Sequence, residues 1–284
     1  MSRRGWLLFW ALCVIWGIPY LLIKVAVAEI SPSALVFLRT LLGAAVLLPL
    51  ARSRGELGSL LPRWRPIVAF TLVEIGLPWL LLSDAERHLA SSLAGLLIAA
   101  VPLVGAALSS ATGGGERLGG RRLVGLLVGL AGVAVLLGFD ASASSAGAVL
   151  EMTVVVVCYA AGPLIISRYL AGLSSRLVMT ASLGLCALGY APFVLAHLPP
   201  ALPSVRAMAA VVVLGIVCTA LAFIVFFHLI AEVGPVRATV VTYVNPAVAV
   251  ALGVALLHEP LTPGIVAGFV LVLAGSYLST RSGP

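Results

Sequence analysis

Ten long apolar stretches, separated by short polar or charged segments, make up nearly the whole of this chain. Most reach the length of roughly 18–20 residues that an α-helix needs to cross the hydrocarbon core of a bilayer. The pattern predicts membrane helices α1–α10 at residues 6–28, 33–50, 66–83, 90–110, 123–139, 146–167, 177–196, 207–231, 237–257 and 263–279. Because the connecting segments are too short to fold as separate soluble domains, we predict an all-α integral membrane protein.

The chain also contains one sequence unit written twice, and internal repeats of this kind decide the architecture. Five residues recur at one fixed offset: Glu116, Leu118, Gly125, Ala131 and Gly132 match Glu259, Leu261, Gly268, Ala274 and Gly275. Farther upstream the offset grows by one residue and pairs Pro19 with Pro163, Pro102 with Pro246 and Lys24 with Arg168. We therefore predict two repeats, at residues 1–140 and 141–284, joined by a linker of small residues.

The repeat has a topological consequence, because five helices per unit is an odd number. The two units must then cross the membrane in opposite senses. Ten transmembrane helices arranged as two inverted five-helix repeats are a recurrent architecture of secondary transporters, with the substrate site near the midplane between the halves.

Charge supports this arrangement. The chain is 62% hydrophobic and only 10% charged, with a mean hydropathy of +1.19, far from the roughly 25% charged residues of an average soluble domain. The net charge of +7 does not indicate nucleic-acid binding, because the arginines lie in short loops beside apolar stretches. One predicted face collects thirteen of them (Arg3, Arg4, Arg52, Arg54, Arg63, Arg65, Arg117, Arg121, Arg122, Arg168, Arg176, Arg237 and Arg281), and the other only Arg87 and Arg206. This bias predicts a multi-pass protein of the cytoplasmic membrane with both termini in the cytoplasm.

Enzyme and cofactor motifs are incomplete. His258-Glu259 is followed by Pro-Leu-Thr, so the second histidine of a helical zinc motif is missing, and the glycines before Glu116 lack the GK[ST] of a phosphate loop. The four cysteines lie in apolar stretches without CxxC spacing and are interpreted as packing residues: Cys13, Cys158, Cys186 and Cys218. We predict no enzyme activity, no metal and no cofactor.

Four prolines fall inside predicted helices as two symmetric pairs: Pro19, Pro102, Pro163 and Pro246. Each removes a backbone donor, which the bilayer tolerates only where other groups repair the helix. A static kink and a hinge beside a cavity both fit a single proline. Their equivalent placement in the two repeats favours the hinge.

Charges inside predicted helices need a physical reason because they are costly in lipid. Lys24 and Arg39 are interpreted as structural, with side chains that snorkel to the headgroups or, for Arg39, bind a lipid. Glu74, near the middle of α3, is too short to reach out. We expect it to face a cavity and either bind the amino group of a substrate or carry a proton; a protonated acid hydrogen-bonded within the bundle is the alternative.

Aromatic and amide side chains on the broken helices are candidates to line a small-molecule cavity: Trp16, Tyr20, Trp79, Tyr159, Tyr243 and Asn245. Ordinary packing is the alternative for each ring. We expect α1, α3, α4, α6, α8 and α9 to line the cavity. The Gly-x-x-x-Gly spacings at Gly125 in α5 and Gly264 in α10 predict peripheral helices that pack within the chain or form a dimer seam, so monomer and homodimer both remain open.

The residues also resemble a known family. Trp16-Gly17, Lys24, Ser31-Pro32 and Leu38-Arg39 are similar to the opening of EamA-type members of the drug/metabolite transporter superfamily. The ends of both halves resemble that family's repeated closing pattern: Pro102 before Gly115-Glu116-Arg117-Leu118, and Asn245-Pro246 before His258-Glu259-Pro260-Leu261. The resemblance implies ten helices in two inverted repeats and export of amino acids, other metabolites or drugs. The second half departs from it at residues 159–162 and at His258, which replaces a glycine.

These observations predict a secondary transporter that exports amino acids or similar small metabolites by alternating access between the repeats. Its expected partners are a small-molecule substrate, the lipid bilayer and, as a candidate coupling ion, the proton; no nucleic acid is expected. The alternative is a non-transporting membrane scaffold or lipid-binding protein, which would need neither a central cavity nor symmetric prolines. A channel is disfavoured because the sequence contains no ring of like charges and no filter-type loop.

Overall fold

The computed structural model of this chain describes residues 2–52, 56–112, 120–139, 145–197, 202–234, 238 and 240–280. Within these ranges the chain is helical and contains no β-strand. Seven helices are long and apolar enough to cross a membrane, and three shorter apolar helices complete the ten. The prediction of an all-α membrane protein with ten helices is confirmed.

The helices lie close to their predicted positions. Their bounds are α1 (Arg3–Ala26), α2 (Pro32–Arg52), α3 (Gly58–Ala85), α4 (Ser91–Ala111), α5 (Gly120–Phe139), α6 (Ala146–Tyr169), α7 (Ser175–Ala196), α8 (Val205–Val233), α9 (Val241–Leu257) and α10 (Pro263–Thr280). Three depart from regular α-helix. Both α3 and α8 contain one π-helical turn, Thr71–Gly76 and Ile216–Leu221, and α4 is interrupted at residues 99 and 100.

The helix contacts repeat with the sequence. In the contacts between repeats, α2 packs on α7 and α5 on α10, each pair joining equivalent helices of the two units. The contact of α1 with α9 recurs as α6 with α4, and the contact of α3 with α6 recurs as α8 with α1. Since both π-helical turns also fall on equivalent helices, the two inverted repeats are present in packing as well as in sequence.

The most extensive contact joins α5 and α10, and glycines let the two backbones touch. A Cβ added at Gly132 would lie 2.6 Å from the backbone nitrogen of Val272 and 2.9 Å from the carbonyl oxygen of Gly268. One added at Gly275 would lie 2.6 Å from the carbonyl oxygen of Gly125. The small-residue spacings therefore pack helices within the chain, one of the two outcomes that the sequence left open.

Acidic loop residues of each repeat bind a helix start of the other repeat. Glu259, between α9 and α10, accepts hydrogen bonds from the backbone N–H groups of Ser91 (2.7 Å) and Ser92 (2.9 Å) at the start of α4. Glu29, between α1 and α2, accepts from the N–H and hydroxyl of Ser204 at the start of α8, both at 2.6 Å. The free N–H groups and partial positive charge of a helix start favour such carboxylates.

These contacts also shift the acidity of the two side chains. Burial alone would raise the pKa of Glu259, but the hydrogen bonds from Ser92 and Ser91 outweigh it and hold that pKa below its ordinary value. The hydrogen bonds from Ser204 likewise lower the pKa of Glu29. Both caps therefore remain ionised at neutral pH.

All four cysteines are free thiols and buried, which confirms their interpretation as packing residues.

Candidate functional site

Glu74 lies in the π-helical turn of α3 and packs directly against α6. The backbone of Gly162 in α6 comes so close that a Cβ there would overlap the Glu74 carboxylate and lie 2.9 Å from its Cδ. The Oε2 atom is buried and has no hydrogen-bond partner. A buried polar atom without a partner is costly, and π-helical turns often mark functional positions, so Glu74 is a strong candidate to meet a ligand.

Arg39 in α2 is 7% exposed and contacts both repeats. Its Nε donates to the hydroxyl of Thr219 in α8 at 3.0 Å, and its Cζ lies 3.7 Å above the ring of Trp79 in α3. Thr219 belongs to the second π-helical turn. Glu74 therefore lies in one π-helical turn, and Thr219, which accepts the hydrogen bond from Arg39, lies in the other.

Three of the predicted aromatic side chains gather around these charges. Tyr159 lies within electrostatic range of Arg39 and Glu74 and forms a side-chain hydrogen bond with Trp79, and Tyr20 lies within electrostatic range of Tyr159 and Arg39. Trp79 and Tyr20 are buried, at 7% and 6% exposure. We call this group, formed by Tyr20, Arg39, Glu74, Trp79, Tyr159 and Thr219, the central cluster.

The other predicted lining residues lie outside the central cluster. Trp16 packs against Phe223 and Phe226 of α8, with ring centroids 6.1 and 5.0 Å apart, in a separate apolar cluster. Asn245 is buried, its Oδ1 has no hydrogen-bond partner, and Tyr243 is half-buried on the same helix. The structure thus gathers Tyr20, Glu74, Trp79 and Tyr159. The other three predicted residues lie elsewhere, Trp16 between α1 and α8 and the remaining two on α9.

The structure corrects the interpretation of Lys24 and Arg39. The Lys24 ammonium does not reach for the headgroups but donates to the carbonyls of Glu86 (2.6 Å) and Leu89 (2.7 Å), where it holds the turn between α3 and α4. Arg39 is buried among protein groups rather than facing lipid. Hydropathy gives the depth of a charge along a helix but not the side on which it lies. For this reason the predicted headgroup and lipid contacts were wrong, although the structural role of Lys24 is confirmed.

The turn between α3 and α4 holds a further acid that the sequence did not single out. Glu86 has no exposed surface, and neither carboxylate oxygen has a hydrogen-bond partner. Burial raises the pKa of Glu86 well above its usual range, although the neighbouring Lys24 ammonium acts in the opposite direction. We call the membrane end that contains this turn the α3–α4 face.

Packing along α4 differs strongly between its two segments. All residues of Ser91–Ile98, toward the α3–α4 face, are buried, whereas in Val101–Ala111 only Leu103 is. The second segment contacts α6 and α10, and most of its residues are only partly buried. Along α4 the packing is therefore tighter at the α3–α4 face than toward the opposite face.

The four prolines predicted as hinges have different surroundings. Pro102 stands at the start of the second α4 segment, directly after the interruption, where the Ser276 hydroxyl of α10 donates to the carbonyl of Ala99 at 3.1 Å. Pro19, Pro163 and Pro246 lie inside continuous helices. Only Pro102 coincides with a helix break.

Three members of the site were missed as functional residues: Arg39, Thr219 and Gly162. A threonine and a glycine in apolar helices carry no signal of their own, since their importance comes from the side chain packed against them. Arg39 did carry a signal, because a guanidinium eight residues into α2 is far from the helix start.

The fold and these contacts define a class, the multi-pass α-helical membrane protein with the inverted repeats of secondary transporters. Comparison with known proteins gives the family. The sequence profile described as the EamA-like transporter family matches residues 3–138 and 147–281, one match in each half. The chain belongs to the EamA-like transporter family and is a transporter of the cytoplasmic membrane.

Individual relatives agree with this assignment. The chain is 30% identical to the uncharacterized inner membrane transporter YedA of Escherichia coli strain K12, over 94% of this chain and 90% of that protein. It is 24% identical to the uncharacterized transporter YvbV of Bacillus subtilis strain 168, over 99% and 93% of the two chains. A protein crystal structure with 24% identity superposes with a TM-score of 0.70 over 99% of this chain and 98% of the other, which supports the fold.

Proposed function

We propose that this protein is a secondary transporter that exports amino acids or similar small metabolites by alternating access, with the central cluster as its substrate site. The observation that carries the proposal is the contact of Glu74 with Gly162 and of Arg39 with Thr219. Each joins a charged side chain of the first repeat to the second repeat within the membrane. A rearrangement of one repeat against the other would change both contacts, as alternating access requires.

The packing along α4 supports one conformation of that cycle. A bundle closed at the α3–α4 face and looser at the other is an arrangement open toward a single side of the membrane. In this proposal the half-buried second segment of α4 borders the path to the central cluster. The break before Pro102 then separates the closed part of α4 from the part that moves.

Transport by purified protein in liposomes tests the proposal and separates it from a lipid-binding scaffold. We expect counterflow of at least one labelled amino acid from a panel that also contains drug-like cations. Trp79→Ala should reduce the initial rate by about tenfold, because it removes a ring from the central cluster. Trp6→Ala is the matched control, since Trp6 is 48% exposed near the start of α1 and should keep the wild-type rate.

Two results would count against this assignment. Absence of counterflow for every compound would favour the scaffold. Equal rates for Trp79→Ala and Trp6→Ala would place the substrate elsewhere in the bundle.

We also propose that both termini and the more open face of the bundle lie in the cytoplasm, on the basis of the arginine distribution. Single cysteines at Gly115 and Asp140, labelled in intact cells with an impermeant reagent, test this orientation. Only the Asp140 cysteine should react from outside, and the four buried native cysteines keep the background low. Reaction of the Gly115 cysteine from outside would reverse the topology.

A further inference from the structure

We propose that Arg39 binds a carboxylate group of the transported molecule, an inference that rests on the proposed transport function. The guanidinium is a built and oriented group rather than a loose surface charge. Thr219 donates its own hydroxyl hydrogen to the carbonyl of Leu214 at 2.8 Å, so its oxygen is free to accept from Nε of Arg39 at 3.0 Å. The Trp79 ring covers one face of the guanidinium at 3.7 Å. These two contacts fix the plane and the direction of the side chain.

The oriented guanidinium keeps most of its binding capacity. An arginine has five N–H donors, and only the one on Nε is used by the residues that the structure describes. The four on the two Nη atoms have no protein acceptor in that part of the chain. Because paired N–H groups on one edge match the two oxygens of a carboxylate, this edge is suited to bidentate binding.

The charge of Arg39 is also uncompensated. In the described parts of the chain, no acidic side chain lies within 4.0 Å of the Arg39 guanidinium, the distance that defines an ion pair. The one ion pair in those parts joins Arg87 to Asp84 at the surface. Glu86 lies within electrostatic range of Arg39 but does not form an ion pair with it. Removing a lone cation from water is unfavourable, so an incoming anion would be strongly favoured.

A carboxylate fits this environment better than a phosphate. Arg39 is the one positive side chain of the central cluster, and the Lys24 ammonium donates to two backbone carbonyls of the α3–α4 turn. One monoanion neutralises one guanidinium, whereas a phosphate dianion would leave an uncompensated negative charge among buried aromatic rings. The rings of Trp79, Tyr20 and Tyr159 suit the organic part of a small carboxylic acid.

The position of Glu74 extends this assignment to molecules with two charges. Tyr159 lies within electrostatic range of both Arg39 and Glu74, yet the two do not form an ion pair with each other. A substrate with an ammonium and a carboxylate group, such as an amino acid, would satisfy both at once. The inference on Arg39 itself requires only the carboxylate.

Equilibrium binding to the purified full chain, measured separately from transport, tests the inference. The amino acids are screened by equilibrium dialysis, and the tightest binder is compared with its own amide, its des-amino acid and inorganic phosphate. We expect the amide and phosphate to bind at least about tenfold more weakly than the acid, because each lacks the matching carboxylate. The des-amino acid should bind in an Arg39-dependent manner, since it keeps that group.

Three variants locate the effect. Arg39→Gln should weaken acid binding by about ten- to hundredfold and abolish the preference over the amide, whereas Arg39→Lys, which keeps the charge, should retain part of it. Arg87→Gln is the matched control, because Arg87 is exposed and paired with Asp84 at 3.0 Å. Its binding should equal that of the wild type.

The possible results separate this inference from the transport proposal. Acid-selective, Arg39-dependent binding without transport in liposomes would support the carboxylate site and overturn the transport proposal. Transport with equal affinity for acid and amide, or a preference that survives Arg39→Gln, would overturn the role of Arg39 alone. Phosphate binding as tight as that of the acid, or no binding by any amino acid, would also overturn it, and the comparison of wild-type affinities needs no variant to fold.

Discussion

Glu74→Gln is expected to lower transport by about tenfold or more, or to remove its dependence on pH, while the protein remains folded. An ionised carboxylate in the middle of a membrane helix costs roughly 2.5–3.5 kcal/mol on insertion scales, so the chain must gain something from keeping it. The described residues provide no cation for it, and its Oε2 has no partner. Glutamine keeps the shape and hydrogen-bonding groups but neither the charge nor the titration.

Initial rates in liposomes across a range of pH values measure this effect, and the size-exclusion profile reports on folding. Glu232→Gln is a suitable control, because Glu232 lies near the end of α8, where it accepts a hydrogen bond from the hydroxyl of Ser2. Gly162→Ala provides an independent perturbation, since the added methyl group must displace the Glu74 carboxylate without removing its charge. An unchanged rate and pH profile in Glu74→Gln would leave a protonated, structural glutamic acid as the explanation.

The second large effect is expected at the α5–α10 contact, where Gly275→Leu should strongly destabilise the protein. A Cβ at Gly275 would lie 2.5 Å from the Cα of Gly129. Neither atom can move away by a side-chain rotation, because the Cα is part of the backbone and the Cβ is bonded directly to it. The two helices would have to separate and lose their contacts along this seam. Gly275→Ala alone should cost about 1–3 kcal/mol, the usual range for overpacking, and leucine more.

Thermal unfolding in detergent and the yield of monodisperse protein measure this loss. Gly138→Ala is the matched control in α5, because nothing lies within 4 Å of a Cβ added there. It should leave the melting temperature nearly unchanged or raise it slightly, as alanine favours helix over glycine. Equal losses in the two variants would show that helix propensity, rather than the close contact, governs this region.

Hydropathy and the internal repeat were sufficient to predict the architecture. Ten apolar stretches gave the helices with bounds mostly within a few residues, because the bilayer requires the backbone of each span to satisfy its own hydrogen bonds. The glycine spacings in α5 and α10 likewise indicated close helix packing, but not whether that packing lies within the chain or between two chains. Both features depend on local sequence and on the solvent, so no tertiary information was needed.

The candidate site was less accessible to this reasoning. Glu74, Trp79 and Tyr159 were identified because charge and aromatic rings stand out in apolar helices, but Thr219 and Gly162 do not. Arg39 and Lys24 were misjudged because a period of 3.6 residues does not reveal which neighbour a helix face meets. The π-helical turns in α3 and α8 also arise from packing, and the residue pattern at 71–76 and 216–221 does not predict them.

At the α3–α4 face, Glu259 of the second repeat caps the start of α4, and Glu29 of the first repeat caps the start of α8. Each half of the chain therefore depends on the other for one helix cap. If the two halves were produced as separate polypeptides, the start of α4 would lack the Glu259 acceptor and the start of α8 would lack Glu29. Each half would recover its missing acceptor only by assembling with the other in the opposite membrane orientation. A split version of this protein is therefore expected to be unstable as either fragment alone and to depend on co-insertion of an antiparallel partner.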